Sequence, residues 1–220
     1  IIGNGSTNGV EAKKFSKANL QSSQLQNIQH SIKMIPGALK ILCVGRMVKD
    51  KGIEELIHVF KWLQPLYNIQ LILVGPFEPH LDPLSQPTMR EIESNPAITH
   101  IDWSDAVEYY MGLADIFVHP SHREGFPNVI LQAGAMQLPV VCSDIPGNTD
   151  IITDEKTGFV FSVKNEEALF EKMQKAITDK TASNKMAAAL FEEVTSLYNR
   201  ERIHEMILES YNRLLKQHGS

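Results

Sequence analysis

Along the middle of the chain, apolar residues collect in short, nearly unbroken runs: Leu39–Val44, Ile69–Val74, Ile98–Ile101, Asp115–His119, Pro139–Ser143 and Gly158–Phe161. Runs of this length without strict polar alternation are read as strands covered on both faces. Between them the period changes. Ile53, Leu56, Ile57, Phe60 and Leu63 recur at the spacing of one helical face, and Pro65 stops the pattern. Further helices are predicted over Met89–Ser94, Asp105–Ala114, Pro127–Gln137, 165–179 and 182–196. A last one is predicted over Arg200–Leu215, with Ile203, Met206, Ile207 and Leu214 on one side. Strands alternating regularly with helices predict an α/β protein, a Rossmann-like doubly wound parallel sheet of about six strands with flanking helices and right-handed crossovers.

Residues 1–37 have a different texture, Ser/Asn/Gln-rich and weakly periodic, and read as a surface or connecting segment that builds no core of its own. The glycines between Gly3 and Gly9 have the wrong spacing for a dinucleotide loop and follow no full strand, so they read as turn. The first residue, Ile1, is not Met and no signal-peptide layout follows it, so a piece of a longer protein is expected.

Composition narrows the functional classes. With 220 residues and 43% hydrophobic content the chain can build a sizeable core. Lys and Arg number 21 against 26 Asp and Glu, a net charge of −5, which offers no general positive field for a nucleic acid polymer. Two well-placed cations would still suffice for a small anion. Cys43 and Cys142 each sit inside an apolar run, as reduced core thiols of a cytoplasmic protein would.

In an open parallel sheet, ligands bind beyond the carboxyl ends of the strands, and the unusual polar residues gather there. The first strand runs into Gly45-Arg46, with Lys51-Gly52 opening the next helix; the fourth runs into the segment from His119 to Asn128. Pro127 suits a first helical turn, and the amides of Asn128, Val129 and Ile130 would then form a phosphate-attracting helix end. Gly125 permits close backbone approach. Arg46 and Lys51 would bring positive charge to the same phosphates. Glu124, an acceptor-only carboxylate beside them, makes sense if it serves hydroxyl groups, as of a sugar next to a diphosphate. Gln132, eight residues after Glu124, would face the same crevice and can both donate to and accept from a diol. His119 and His122 read as rim or core residues rather than catalysts. No metal-ligand spacing is present.

These motifs, with Ala114-Asp115-Ile116-Phe117-Val118-His119-Pro120-Ser121, Glu124 to Ala133, Leu138-Pro139-Val140-Val141 and Thr157-Gly158-Phe159-Val160, resemble the carboxy-terminal domain of family-4 (group 1) retaining glycosyltransferases of the GT-B fold. The ordered agreement runs from about residue 40 to 165. Asn4-Gly5-Ser6 and Asn8-Gly9-Val10 resemble the entry into that domain, and the last helix resembles the one that crosses back to the amino-terminal domain. The implied organisation is an interdomain connection over 1–37, a nucleotide-sugar-binding domain over 38–197 and a crossing helix over 198–220.

The resemblance implies a nucleotide-diphosphate sugar donor, UDP-linked above others, and a glycan or lipid-linked acceptor. No cofactor or obligatory metal is implied. Arg46 and Lys51 would grip the diphosphate and Glu124 the sugar hydroxyls, these three being the catalytic set. Gly45 and Gly125, with the backbone of Phe126, Pro127, Asn128 and Val129, would line the donor site. Family members usually carry Glu at the position of Gln132, where it binds the ribose diol; this chain departs there. The acceptor-binding half is missing, so no transfer is expected from these residues alone, and attachment of the whole enzyme at the membrane periphery is left open. Two alternatives stand beside this reading: a sugar-nucleotide epimerase of similar architecture, and a non-catalytic module that binds a nucleotide or a protein.

Overall fold

The computed structural model describes residues 9–218, with the side chains of Arg213, Leu214 and residues 216–218 left aside. The expectations placed on Gly3 to Asn8 and on the Leu214 side chain lie outside the described residues.

Eight α-helices and six strands follow one another among the described residues: α1 (Ser22–Ser31), β1 (Leu39–Val44), α2 (Ile53–Leu63), β2 (Ile69–Val74), α3 (Gln86–Ser94), β3 (Ile98–Ile101), α4 (Val107–Leu113), β4 (Ile116–His119), α5 (Asn128–Ala135), β5 (Val140–Ser143), β6 (Phe159–Phe161), α6 (Glu166–Thr178), α7 (Lys180–Leu197) and α8 (Arg200–His218). The strands form one sheet in the order β3-β2-β1-β4-β5-β6, every neighbouring pair parallel. The chain winds outward from β1 through β2 to β3, then returns to the centre and winds the other way from β4. The crevice where the two directions part therefore opens between the carboxyl ends of β1 and β4.

Alternate residues of the central strands feed separate cores, which is why their sequences are predominantly apolar. Ile41 and Cys43 join α2 and α6 residues such as Phe60 and Met173 on one face. Leu42 and Val44 join α5 and α7 residues such as Leu131 and Leu190 on the other. Phe60 and Phe117 are entirely buried, each contributing about 1.5–3 kcal/mol of apolar transfer free energy. Both cysteines are buried and unpaired.

Two sequence expectations change. The polar amino-terminal stretch contains α1, which packs against α4. Val10, Phe15 and Ile32 are buried in the same core as β1 and β4, so this segment is built into the domain it precedes. The amino-terminal segment also meets the start of α8: Val10 N–H donates to Tyr198 O at 2.7 Å and Arg200 N–H to Val10 O at 3.1 Å. The second change is at α5. It begins at Asn128, with Pro127 extended at the cap (φ −81°, ψ 92°) rather than inside the first turn. Among the described residues no helix is long and apolar enough to cross a membrane.

Candidate functional site

Three loops meet over the crevice, and hydrogen bonds between them fix their mutual position. The β1–α2 loop (45–52) passes through a 3-10 turn at Lys49–Lys51. Asp82, in the β2–α3 loop, accepts from Asp50 N–H at 2.8 Å. Asp50 O accepts from His122 N–H at 2.8 Å, and the Asp50 carboxylate pairs with Arg123. His122 Nε2 lies 2.9 Å from Glu55 Oε1 on the first turn of α2. The β4–α5 loop is thus tied to the start of α2. Gly52 lets this happen: its φ is +68°, and a Cβ there would stand 2.1 Å from Pro120 O, so the two loops touch backbone to backbone. Beneath them Ser143 Oγ donates to Ser121 O, and Asn148 donates to both Ser143 O and Ser143 Oγ.

This frame brings the residues nominated from sequence to one rim. Lys51 Nζ stands 2.6 Å from Glu124 Oε1, both side chains mostly buried, at 17% and 16% exposure. His119 Nε2 is 3.1 Å from the same oxygen. Burial opposes ionisation of Glu124, but His119 and Lys51 outweigh it and hold the carboxyl down at about 2. Arg46 is more open, at 43% exposure, and donates from Nη1 to Glu78 Oε2 at 2.8 Å. That hydrogen bond, with the nearby charges of Asp50 and Glu124, raises its already high pKa. Arg46 shares the β1–α2 loop with Lys51, and at Gly52 that loop lies against the β4–α5 loop that carries Glu124. Each cation spends one N–H on a carboxylate and keeps others, since an ammonium has three and a guanidinium five.

Open space adjoins this cluster. A Cβ added at Gly45 or at Gly125 would meet nothing within 4 Å. Of the three amides expected at the amino end of α5, Ile130 N–H is used, donating to Pro127 O at 3.0 Å. Among the described residues no protein acceptor meets those of Asn128 and Val129, the normal condition of a helix start. Phe126 turns its ring away from any such role and packs it on Tyr198, centroids 5.7 Å apart. Gln132 is half-buried on the second turn of α5, and among the described residues its side-chain amide has no protein partner. It is therefore not a core amide satisfied by backbone.

Sequence reasoning missed the acidic partners. Glu78 and Asp82 lie in the Pro-rich loop after β2, and β2 neighbours β1, so their loop had to open on the same rim; nothing local marked them as partners of Arg46 and Asp50. A cavity of about 1030 Å³ lies elsewhere, at the amino ends of β1, β4 and β5, between Lys33, Lys40, Asp115 and Lys180. None of the nominated residues lines it. Among the described residues no cluster of three or more His, Cys, Asp or Glu is arranged to hold a metal ion.

The doubly wound parallel sheet with flanking helices is a Rossmann-like architecture of the kind found in GT-B proteins. The chain belongs to the family described as glycosyl transferases group 1, which it matches over residues 26–192. It is 32% identical over 219 residues to the capsular polysaccharide biosynthesis glycosyltransferase CapM of Staphylococcus aureus, covering 99% of this chain and 56% of that one. Its fold is similar to that of a glycosyltransferase from Rickettsia africae, with a TM-score of 0.87 at 23% identity over 95% of this chain and 56% of the other. It is also similar to Anabaena HepE, solved in complex with UDP and glucose, with a TM-score of 0.83 at 17% identity over 93% of this chain and 55% of that one. The chain thus spans about half the length of each of these three relatives.

Proposed function

We propose that this chain is the donor-binding half of a retaining glycosyltransferase that moves a sugar from UDP to a glycan or lipid-linked acceptor in polysaccharide assembly. One observation carries the reading: the β1–α2 loop with Arg46 and Lys51 meets the β4–α5 loop with Glu124 and the start of α5 at the switch point of the sheet, Lys51 pairing directly with Glu124. The pattern has one cationic side and one acceptor side. Arg46, Lys51 and the amides of Asn128 and Val129 would take the diphosphate and stabilise the charge that develops on it as the glycosidic bond breaks, which is electrostatic preorganisation rather than acid–base work. Glu124, ionised far into the acid range, would accept from sugar hydroxyls.

UDP as the nucleotide is supported by the ligand of HepE, and a polysaccharide product by the name of CapM. Retention of anomeric configuration and independence of a metal rest on the family resemblance. The acceptor site is assigned to an amino-terminal domain beyond this chain, so the chain by itself binds donor without turning it over. A cytoplasmic setting accords with the two buried, unpaired thiols.

Calorimetric titration of the chain with UDP and UDP-sugars tests the reading. Binding with an affinity that falls in Arg46→Ala and Lys51→Ala supports it, and no heat up to millimolar ligand favours the interaction module instead. In the two-domain protein, transfer that persists in chelator and yields the donor's own anomer is expected; free epimerised sugar in the absence of acceptor would favour the epimerase.

A further inference from the structure

A buried imidazole at the rim, that of His119, has no role in donor binding as proposed. His119 is the last residue of β4, a strand hydrogen-bonded on both sides, by β1 and by β5. It is only 4% exposed, and its ring lies nearly parallel to that of Phe117, 11° between the planes. Such a residue has little room to change rotamer. Its Nε2 stands 3.1 Å from Glu124 Oε1 but off the line a hydrogen bond requires, so a fully buried ring nitrogen is left without a hydrogen-bond partner. Buried polar atoms in that condition are uncommon and ask for an explanation.

Glu124 supplies one. Both of its contacts fall on the same oxygen: Lys51 reaches Oε1 at 2.6 Å and His119 faces it at 3.1 Å, while among the described residues no protein donor meets Oε2. The two donors differ in kind. Lys51 carries its ammonium on a flexible four-carbon stem, able to swing toward a phosphate; the His119 ring is fixed by the strand and by Phe117. A carboxylate only accepts, so the ring nitrogen facing it is the one that carries the hydrogen.

We infer that His119 is the positioning residue for Glu124. When Lys51 turns its ammonium to the donor diphosphate, a small rotation of the carboxylate brings Oε1 into line with His119 Nε2–H, and Oε2 stays presented to a sugar hydroxyl. Without that fixed donor, Glu124 would follow Lys51 or lose its orientation once the ion pair opened. The inference rests on the reading of Glu124 as the sugar contact, and it separates the part of donor affinity due to the sugar from the part due to UDP.

The test is calorimetry on the chain with UDP alone and with UDP-glucose, UDP-galactose, UDP-N-acetylglucosamine and UDP-N-acetylgalactosamine, taking the ratio of each Kd to that of UDP. In the parent chain at least one sugar is expected to tighten binding. His119→Leu should lose most of that gain, about five- to tenfold, with UDP affinity unchanged within about twofold. His119→Gln, whose amide nitrogen reaches the place of Nε2, should keep it. His119→Asn, whose amide ends short of Oε1, should lose it, and serves if the leucine variant does not fold. A full gain in the leucine or asparagine variant overturns the inference, as does an equal loss for UDP and UDP-sugar, the mark of a merely structural residue. If the parent chain binds UDP but gains nothing from any sugar, the assignment of Glu124 fails first; if it does not bind UDP, the donor reading itself fails.

Discussion

Lys51 Nζ and Glu124 Oε1, 73 residues apart in the chain, meet at 2.6 Å and close the crevice between the β1–α2 and β4–α5 loops. Removing one partner of a half-buried pair strands the other away from water. Lys51→Met should therefore cost about 1–3 kcal/mol of folding stability, and adding Glu124→Gln should return part of it. Urea denaturation of the four proteins of the cycle measures the coupling. A value under about 0.5 kcal/mol would mean that the pair behaves as an exposed one.

The same contacts set an acid limb. Burial resists the ionisation of Glu124, yet His119 and Lys51 keep its carboxyl at about 2 against an ordinary 4.5. A carboxyl whose folded-state pKa lies below its unfolded one contributes stability above the unfolded value and loses it as pH falls through the folded one. The stability difference between the parent and Glu124→Gln should thus be flat from about pH 5 to 7 and shrink steadily from about pH 4.5 toward 2. Other acids titrate equally in both proteins and cancel. Parallel curves across that acid window would refute the assignment.

Arg46 should behave differently, because its pair with Glu78 is open to solvent. Such a pair contributes at most about 1 kcal/mol to folding. A charge-assisted bond to phosphate is worth about 1.5–3 kcal/mol, roughly 10- to 150-fold in Kd. Arg46→Ala should leave the melting temperature nearly unchanged and weaken UDP binding by about tenfold or more. Unaltered affinity in calorimetry would remove Arg46 from the site.

What was legible in the sequence follows from which forces act locally. β1 and β2 were readable residue for residue because strands covered on both faces are predominantly apolar, with Lys40 and Gln70 the only interruptions. α1 was not, since within Ser22–Ser31 only Leu25 and Ile28 pack toward the core, too sparse for a period to emerge. The site was legible as a set of residues at strand ends, which topology brings to one edge. The pairing inside it was not: whether Lys51 meets Glu124, or Arg46 meets Glu78, depends on loop geometry fixed by contacts such as that of Asp82 with Asp50, to which no periodicity points.

Gly52 bears that loop geometry directly. With φ at +68° and Pro120 O only 2.1 Å from where a Cβ would sit, Gly52→Ala forces the β4–α5 loop away from α2 as well as straining the backbone. A loss of about 2–4 kcal/mol is expected, with UDP affinity falling because Lys51 and Glu124 part. Denaturation and calorimetry on the same variant would show both; an alanine accepted without cost would mean that the two loops are not held together here.

Gln132 offers the sharpest departure from the family pattern, in which an acid binds the ribose diol. It is half-buried on α5, and among the described residues its amide has no protein partner, so a change there disturbs no bond of the fold. An ionised acceptor makes hydrogen bonds to hydroxyls about twice as strong as a neutral amide does. Against this, a new negative charge near a diphosphate is repelled, a penalty that Arg46 and Lys51 screen. If the ribose lies against Gln132, Gln132→Glu should tighten UDP binding by roughly three- to tenfold and improve 2′-deoxy-UDP distinctly less, because that ligand keeps only one hydroxyl of the diol. Equal gains for the two nucleotides would mean that the substitution acts through the general field of the crevice and not through the ribose. A loss for both would place the ribose elsewhere and leave Gln132 as an ordinary polar residue on the face of the helix.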